Sequence, residues 1–266
     1  MNDQDIINEY KNGASLASLS RKTNLSVYKI KKLLINYNIS IRTRFEQAVY
    51  TNMQRGKKIN HHYFDELNNE NVYYLGFLAA DGCVRPNRNE IKIGLSSIDR
   101  QWLEEFQNKL QSERTIKDYI TSKGFQVSEL LFSSLNIKTE LAKYSIVPNK
   151  TYKGITMNNI PQQYKLAFIK GYFDGDGSFS INKNTKQCKI DIVSNTKNIL
   201  QEINDFFNNK GHIYNHNKNN FCLEYSTLPS LRILEQFSKL DTPYLKRKKD
   251  KYEEALLIRN INKSTS

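Results

Sequence analysis

Two short stretches of the chain carry a carboxylate in the same setting. Residues 74–82 read Y-L-G-F-L-A-A-D-G and residues 169–177 read I-K-G-Y-F-D-G-D-G. Gly76 and Gly171 stand 95 positions apart (171 − 76), and so do Asp81 and Asp176 (176 − 81). An Asp-Gly pair alone is an ordinary turn signal. Two such pairs in one repeated context point instead to a duplicated unit that brings one acid from each copy to a common centre. Two carboxylates held close repel each other, and divalent cations relieve the repulsion. Other chemistries lack their residues. There is no Walker loop, G-x-G-x-x-G, H-E-x-x-H or nucleophile elbow. An EF-hand counted from Asp174 would put Phe179 where the loop needs glycine and Thr185 where it needs glutamate. The four histidines lack partners at ligand spacing, and Cys83, Cys188 and Cys222 form no C-x-x-C, so neither zinc nor a disulfide scaffold is expected.

The elements that must position these acids recur with them. After each copy come a β-rich pair (Glu90–Ser96; Ser178–Asn182 with Cys188–Ser194), a helix (Trp102, Leu103, Phe106, Leu110; Leu200, Ile203, Phe206, Phe207), a second β pair and another helix. Even the following proline repeats at the same spacing, Pro148 and Pro243 (243 − 148 = 95). The expected fold is α+β: two pseudo-symmetric αββαββα halves, residues 71–157 and 158–260, each with a four-stranded antiparallel sheet. Glycine inside a helix costs roughly 1 kcal/mol against alanine, so Gly76 and Gly171, with Ala80 and Gly175 four residues on, need a compensating reason. Small residues at that spacing let the two repeated helices pack backbone to backbone. Each helix is expected to end at Gly82 or Gly177 in a left-handed cap. An aspartate there opposes the helix dipole, which a bound cation would offset.

Residues 1–44 read as a separate all-α module. Ile6, Ile7 and Tyr10 precede Gly13, Leu16 and Leu19 precede a polar turn, and Ser26 caps a helix with Ile30, Leu33, Leu34 and Tyr37 at helical spacing. This is the outline of a helix-turn-helix, whose second helix would bring Ser26, Val27, Tyr28 and Lys31 near base edges, and Arg42 and Arg44 would continue the basic surface as an arm. The same pattern also suits a small three-helix interaction bundle. Residues 45–70 read as a basic linker. The whole chain has 266 residues, and its 40 Lys and Arg against 27 Asp and Glu give a net charge of +13, which favours a polyanionic partner. With a mean hydropathy of −0.66 and no apolar run near the roughly 18–20 residues that span a bilayer, no membrane partner is expected. The polar start, Met1–Glu9, suggests no secretory signal, and the expected location is the cytoplasm of a bacterial or phage-infected cell.

On these residues the chain resembles the LAGLIDADG homing endonucleases in their single-chain, two-motif form. F-I-K-G-Y-F-D-G-D-G-S (Phe168–Ser178) matches closely, while the first copy has Ala79 where the family often has an acid, as at Asp174. The resemblance implies two sheets forming a saddle in the DNA major groove, contacted through Arg85, Arg88 and Lys92 in the first half and Lys183, Lys186, Lys189, Tyr214 and Lys218 in the second. It implies Mg²⁺ ions held by Asp81 and Asp176 with the carbonyls of Ala80 and Gly175, Mn²⁺ or Ca²⁺ being able to substitute for binding. It also implies a basic residue near each centre. Lys150 and Lys248 are the choices, although a strict 95-residue offset would pair Lys248 with Lys153. The implied activity is site-specific cutting of both strands of a long, near-asymmetric DNA target by a monomer, leaving short 3′ overhangs. Two alternatives share the scaffold: an RNA-binding intron maturase, and a DNA-binding regulator that has lost the reaction.

Overall fold

The structure is a computed structural model that describes residues 1–44, 46–47, 58–217 and 220–260. It divides into two compact units, Met1–Ile59 and Asn60–Ser266. In the first, α1 (Asp3–Lys11), α2 (Leu16–Thr23) and α3 (Val27–Asn36) each begin at a side-chain cap: Asn2, Ser15 and Ser26. Asn24, with φ 54°, takes the left-handed turn between α2 and α3. Ile6, Ile7, Tyr10, Leu19, Ile30 and Leu34 form the core. Tyr37 is exposed as the C-cap of α3. One expectation is corrected here. Arg42 does not extend an arm: its guanidinium donates to the carbonyls of Tyr10 (2.7 Å) and Ala14 (2.8 Å) and stacks on the Tyr10 ring at 3.9 Å. The planar fork satisfies helix-end carbonyls of α1 and its turn, so its chemistry is spent on packing.

The second unit is built around two helices, α4 (Asn69–Asp81) and α8 (Lys165–Asp176). Apart from its ends, α4 is buried all round, as befits a helix with no polar face. A Cβ on Gly76 would lie 2.0 Å from the carbonyl oxygen of Phe168, and one on Gly171 would lie 1.9 Å from that of Tyr73. The clash is reciprocal, because Tyr73 and Phe168 are themselves related by the repeat (168 − 73 = 95). The two backbones therefore touch where glycine alone fits.

Behind each helix lies one half of the repeat. The first runs β1 (Cys83–Val84), β2 (Glu90–Ser96), α5 (Arg100–Lys109), β3 (Lys117–Ile120), β4 (Gln126–Ser133), α6 (Leu135–Lys143) and the short α7 (Lys150–Lys153). The second runs β5 (Gly177–Ile181), β6 (Cys188–Ser194), α9 (Lys197–Phe206), β7 (His212–Asn217), β8 (Asn220–Tyr225), α10 (Thr227–Ser238) and α11 (Lys246–Asn260). The sheets have matching orders, β1-β2-β4-β3 and β5-β6-β8-β7, with antiparallel neighbours. Strand alternation sends Ile91, Ile93 and Leu95 inward from β2, and Cys188, Ile190 and Ile192 inward from β6. The α+β architecture with duplicated halves thus stands.

Two further expectations change. Gly82 (φ −70°) and Gly177 (φ −96°) are extended, not left-handed, because the chain passes straight from helix into strand. Their lack of a side chain serves close approach instead: a Cβ would come 2.5 Å from the Leu78 carbonyl oxygen at Gly82, and 2.3 Å from the Phe173 ring at Gly177. The basic linker also ends earlier than residue 70. Phe64 is fully buried, Asn60 N–H donates to the Leu110 carbonyl (2.7 Å), and Asn136 donates to that of His61 (2.9 Å), which ties residues 60–68 to the first half. Of the basic residues assigned to that linker, Arg55 and Lys57 lie outside the described residues. No described helix is long and apolar enough to cross a membrane.

Candidate active site

Asp81 and Asp176 are the last residues of α4 and α8, and the glycine contacts bring these ends together. A Cβ on Gly175 would lie 2.4 Å from the Ala80 Cβ and 3.4 Å from Asp81 Oδ2. Burial pushes the Asp176 carboxyl up to about 6, and the negative charge of Asp81 adds to the shift, while Lys150 and Lys248 oppose it. The Asp81 side chain is more exposed, yet the surrounding protein also raises its pKa against the pull of Lys150, Lys248 and Arg247. Two acids at the negative ends of two helix dipoles are therefore held in mutual repulsion.

Both lysines reach this point. The Lys150 ammonium donates to the Ala80 carbonyl at 2.6 Å. That of Lys248 donates to the carbonyls of Asp174 (2.7 Å), Gly177 (2.6 Å) and Phe173. Each cation thus caps the last turn of one helix, a favourable site for positive charge. Both are buried, at 8% and 5% exposure. Burial lowers both pKa values against the aspartates' attraction, that of Lys248 to about 8. Lys153, the strict repeat partner of Lys248, is exposed.

The donor set suits a hard divalent cation. Among the described residues no group of three or more His, Cys, Asp or Glu converges, so the protein offers two carboxylates and main-chain oxygens. That is the pattern of Mg²⁺ sites, where one or two carboxylates are completed by water and substrate phosphate. The Ala80 carbonyl already accepts from Lys150, so any role for it at a metal is shared with that lysine.

The groups assigned to DNA contact are less uniformly free than their charge suggests. On the sheet face opposite the core, Lys92 pairs with Glu129 (2.6 Å), and Lys189 lies between Asp191 (3.1 Å) and Glu224 (3.0 Å). Arg85 and Arg88 both lean on Glu90, and Lys183 pairs with Glu254. Tyr214 sits beside Cys222 and stacks on His212. Lys186 is half-buried in the β5–β6 turn, and Lys218 lies outside the described residues. In the N-terminal unit Ser26 caps α3, and Tyr28 is 74% exposed beside exposed Lys31; Arg44 is exposed beyond the helices.

Sequence reasoning missed the groups that wire the centre. Tyr172 stands beside Asp176 and Ser194, whereas its repeat partner is Phe77. Arg247 pairs with Asp99 at 2.9 Å, and the repeat partner of Asp99 is Ser194. Only aligning the two copies residue by residue would have raised them.

Comparison with known proteins agrees with the fold. A family model described as LAGLIDADG-like domain matches residues 70–144 and 163–240. An uncharacterized protein of Methanocaldococcus jannaschii is 27% identical over 200 residues, covering 68% of this chain and 67% of that one. A reverse gyrase of the same organism is 25% identical over 230 residues, 83% of this chain but 13% of the gyrase. Among solved structures, the LAGLIDADG meganuclease I-AabMI bound to uncleaved DNA superposes with a TM-score of 0.51 at 14% identity, covering 75% of this chain and 92% of that one. The LAGLIDADG homing endonuclease I-GzeII in complex with a DNA target gives 0.52 at 18%, with the same coverages. The two structures share the fold of three quarters of this chain, and the family model spans more than half of the sequence: the chain belongs to the LAGLIDADG family.

Proposed function

We propose that this chain is a Mg²⁺-dependent, site-specific endonuclease that hydrolyses both strands of duplex DNA, leaves short 3′ overhangs, and acts as a monomer on a long, near-asymmetric target. The observation that carries the reading is the meeting of Asp81 and Asp176 at the ends of α4 and α8 with Lys150 and Lys248 beside them. Solved proteins of this fold, I-AabMI and I-GzeII, are bound to DNA, and the +13 charge suits the same partner.

Asp81 and Asp176, with the carbonyls of Ala80 and Gly175, would hold the cation, which when bound polarises the scissile phosphate and acidifies the attacking water. Asp176, with a pKa of about 6, is ionised at neutral pH and ready for that role. Lys150 and Lys248 supply fixed positive charge where negative charge builds on the phosphate, and their carbonyl anchors keep Nζ in place without reorganisation. The exposed face of α3 would add affinity through Ser26, Tyr28 and Lys31.

The test is a randomised duplex library incubated with the protein and either Mg²⁺ or Ca²⁺, followed by sequencing of the cut and the bound pools. Expected is one long enriched motif, cut with Mg²⁺. Asp81→Asn and Asp176→Asn should still enrich that motif while double-strand cutting falls by about 10³-fold or more. Undiminished cutting by the double variant would refute the assignment, and enrichment of structured RNA over duplex DNA would favour the maturase class.

A further inference from the structure

The repeat breaks two residues before each final aspartate, where the first copy has Ala79 and the second Asp174. The Asp174 side chain is 4% exposed, and its Oδ2 accepts from the Tyr73 hydroxyl (2.7 Å) and from the Leu245 main-chain N–H (3.1 Å). Tyr73 in turn accepts from the Trp102 indole at 2.9 Å. This carboxylate of the second half is therefore anchored by two aromatic residues of the first, and what it holds is the turn that opens α11.

That turn carries Lys248. The Leu245 carbonyl accepts the Lys248 N–H at 2.9 Å, so one residue, Leu245, is fixed at its N–H by the Asp174 carboxylate and at its carbonyl by the lysine's backbone. The Lys248 ammonium then returns to the Asp174 carbonyl. The Asp174 carboxylate thus holds the lysine's main chain through Leu245, while the ammonium rests on the residue's main-chain carbonyl, which any side chain at 174 would leave in place. In the first half Ala79 has no side chain for such a role, and Lys150 sits on the four-residue α7 with its ammonium on Ala80.

We propose that Asp174 is a positioning residue for the second half alone, seating Lys248 beside Asp176, so that the two DNA strands are cut by centres of unequal construction. The inference rests on the endonuclease reading above, and its test separates the two. A duplex recovered from the library, with a different fluorophore on each strand, is cut under single-turnover conditions with Mg²⁺. Asp174→Ala, which copies the first half, should slow nicking of one strand by about tenfold or more and leave the other within about threefold, so that nicked duplex accumulates. Asp174→Asn keeps an acceptor oxygen and should recover most of the loss. Equal slowing of both strands, or no slowing, overturns the proposal.

A second readout needs no DNA: the rate of acetic anhydride labelling at each lysine, followed by mass spectrometry. Loosening the grip should speed labelling of Lys248 by about threefold or more while Lys150 keeps its rate. Parallel changes at both lysines, or none, again overturn it. Should no duplex be cut, the nuclease reading fails and this arm still decides the role of Asp174. Should Asp174→Ala not fold, as judged by circular dichroism, Tyr73→Phe takes its place. It removes one of the two donors, and the same one-strand, one-lysine pattern is required of it.

Discussion

The first half of the duplicated unit places an aromatic ring where the second places a hydroxyl. Phe77 stacks on Trp102 with ring centroids 3.9 Å apart, while Tyr172, its repeat partner, carries a hydroxyl that stands beside Asp176 and Ser194. Asp99, the partner of Ser194, is instead bound by Arg247 from the second half, and the partner of Arg247 is Tyr152, 87% exposed. Against this, the glycine contacts of α4 and α8 are reciprocal to within 0.1 Å, 2.0 against 1.9 Å. The contrast has a physical origin. A shared interface of two backbones tolerates no added atom on either side, so both copies are held to one solution. A polar group around each acid can be exchanged for another of similar size if its partners change with it.

The strongest way to break that comparison is at the symmetric part. Gly76→Ala or Gly171→Ala would push a methyl into a main-chain carbonyl of the facing helix, which cannot rotate away. The helices must separate along their length, and the expected loss is about 3 kcal/mol or more for either variant, enough to leave a molten or unfolded second unit. Gly94→Ala is the control, because its Cβ would meet only Val127, at 3.7 Å, and stability should stay within about 0.5 kcal/mol. Thermal melts by circular dichroism decide it. A mild phenotype for one of the first two variants would show that the interface is less symmetric than its contacts.

This interface is also where the sequence was most informative. Repeated glycines in an apolar helix have few explanations, and the order of strands and helices follows from periodicity on both sides of the repeat. The final aspartates were readable for the same reason. What stayed hidden depends on partners distant in sequence. Glycine serves a left-handed cap and a close approach equally well, so Gly82 and Gly177 were assigned the wrong one of the two. Arg42 looked like part of a basic arm because nothing near it in sequence shows that Tyr10 and Ala14 lie within its reach. Phe64, fully buried, stands with only Tyr63 and Leu67 in a polar stretch, too short an apolar signal to end a linker. The ion pairs of Lys92 with Glu129 and of Lys189 with Glu224 were equally hidden, because they form only across strand register.

A smaller effect sharpens the asymmetry of the two lysines. Replacing either by methionine removes a cation that holds the Asp176 pKa down, so in both variants the pH at which that acid ionises must rise. Cleavage should fall by about 10²-fold at neutral pH in each, and the acid limb of the rate profile should move to higher pH. The variants differ in stability. Lys248→Met strips the carbonyls of Phe173, Asp174 and Gly177 of their shared donor, and unmade buried hydrogen bonds cost about 1–3 kcal/mol. Lys150→Met strips one. Denaturant melts should rank Lys248→Met below Lys150→Met, and the reverse order would mean that the extra carbonyl contacts of Lys248 contribute nothing net.

The smallest expected effect concerns the carboxylates themselves and has a sign that depends on metal. Asp176 titrates near 6 in the folded protein, above the ordinary aspartate value of 3.8. The native state therefore binds its proton more tightly than the unfolded chain, and stability falls as pH rises from about 4 through 6. Asp176→Asn removes that cost. In EDTA the variant should be more stable than the parent above pH 6, by on the order of 1 kcal/mol once solvent screening is allowed for, and the advantage should vanish below pH 4. Asp81→Asn should gain less, since Asp81 is the more exposed of the two. Adding Mg²⁺ at pH 7.5 should reverse the order, because an ion that binds only the folded parent stabilises it by mass action while the variant has lost half of the carboxylate pair. Thermal melts across pH 4–8, with and without Mg²⁺, measure both signs. A parent that stays less stable than Asp176→Asn in saturating Mg²⁺ would mean that the two acids repel each other without jointly holding an ion.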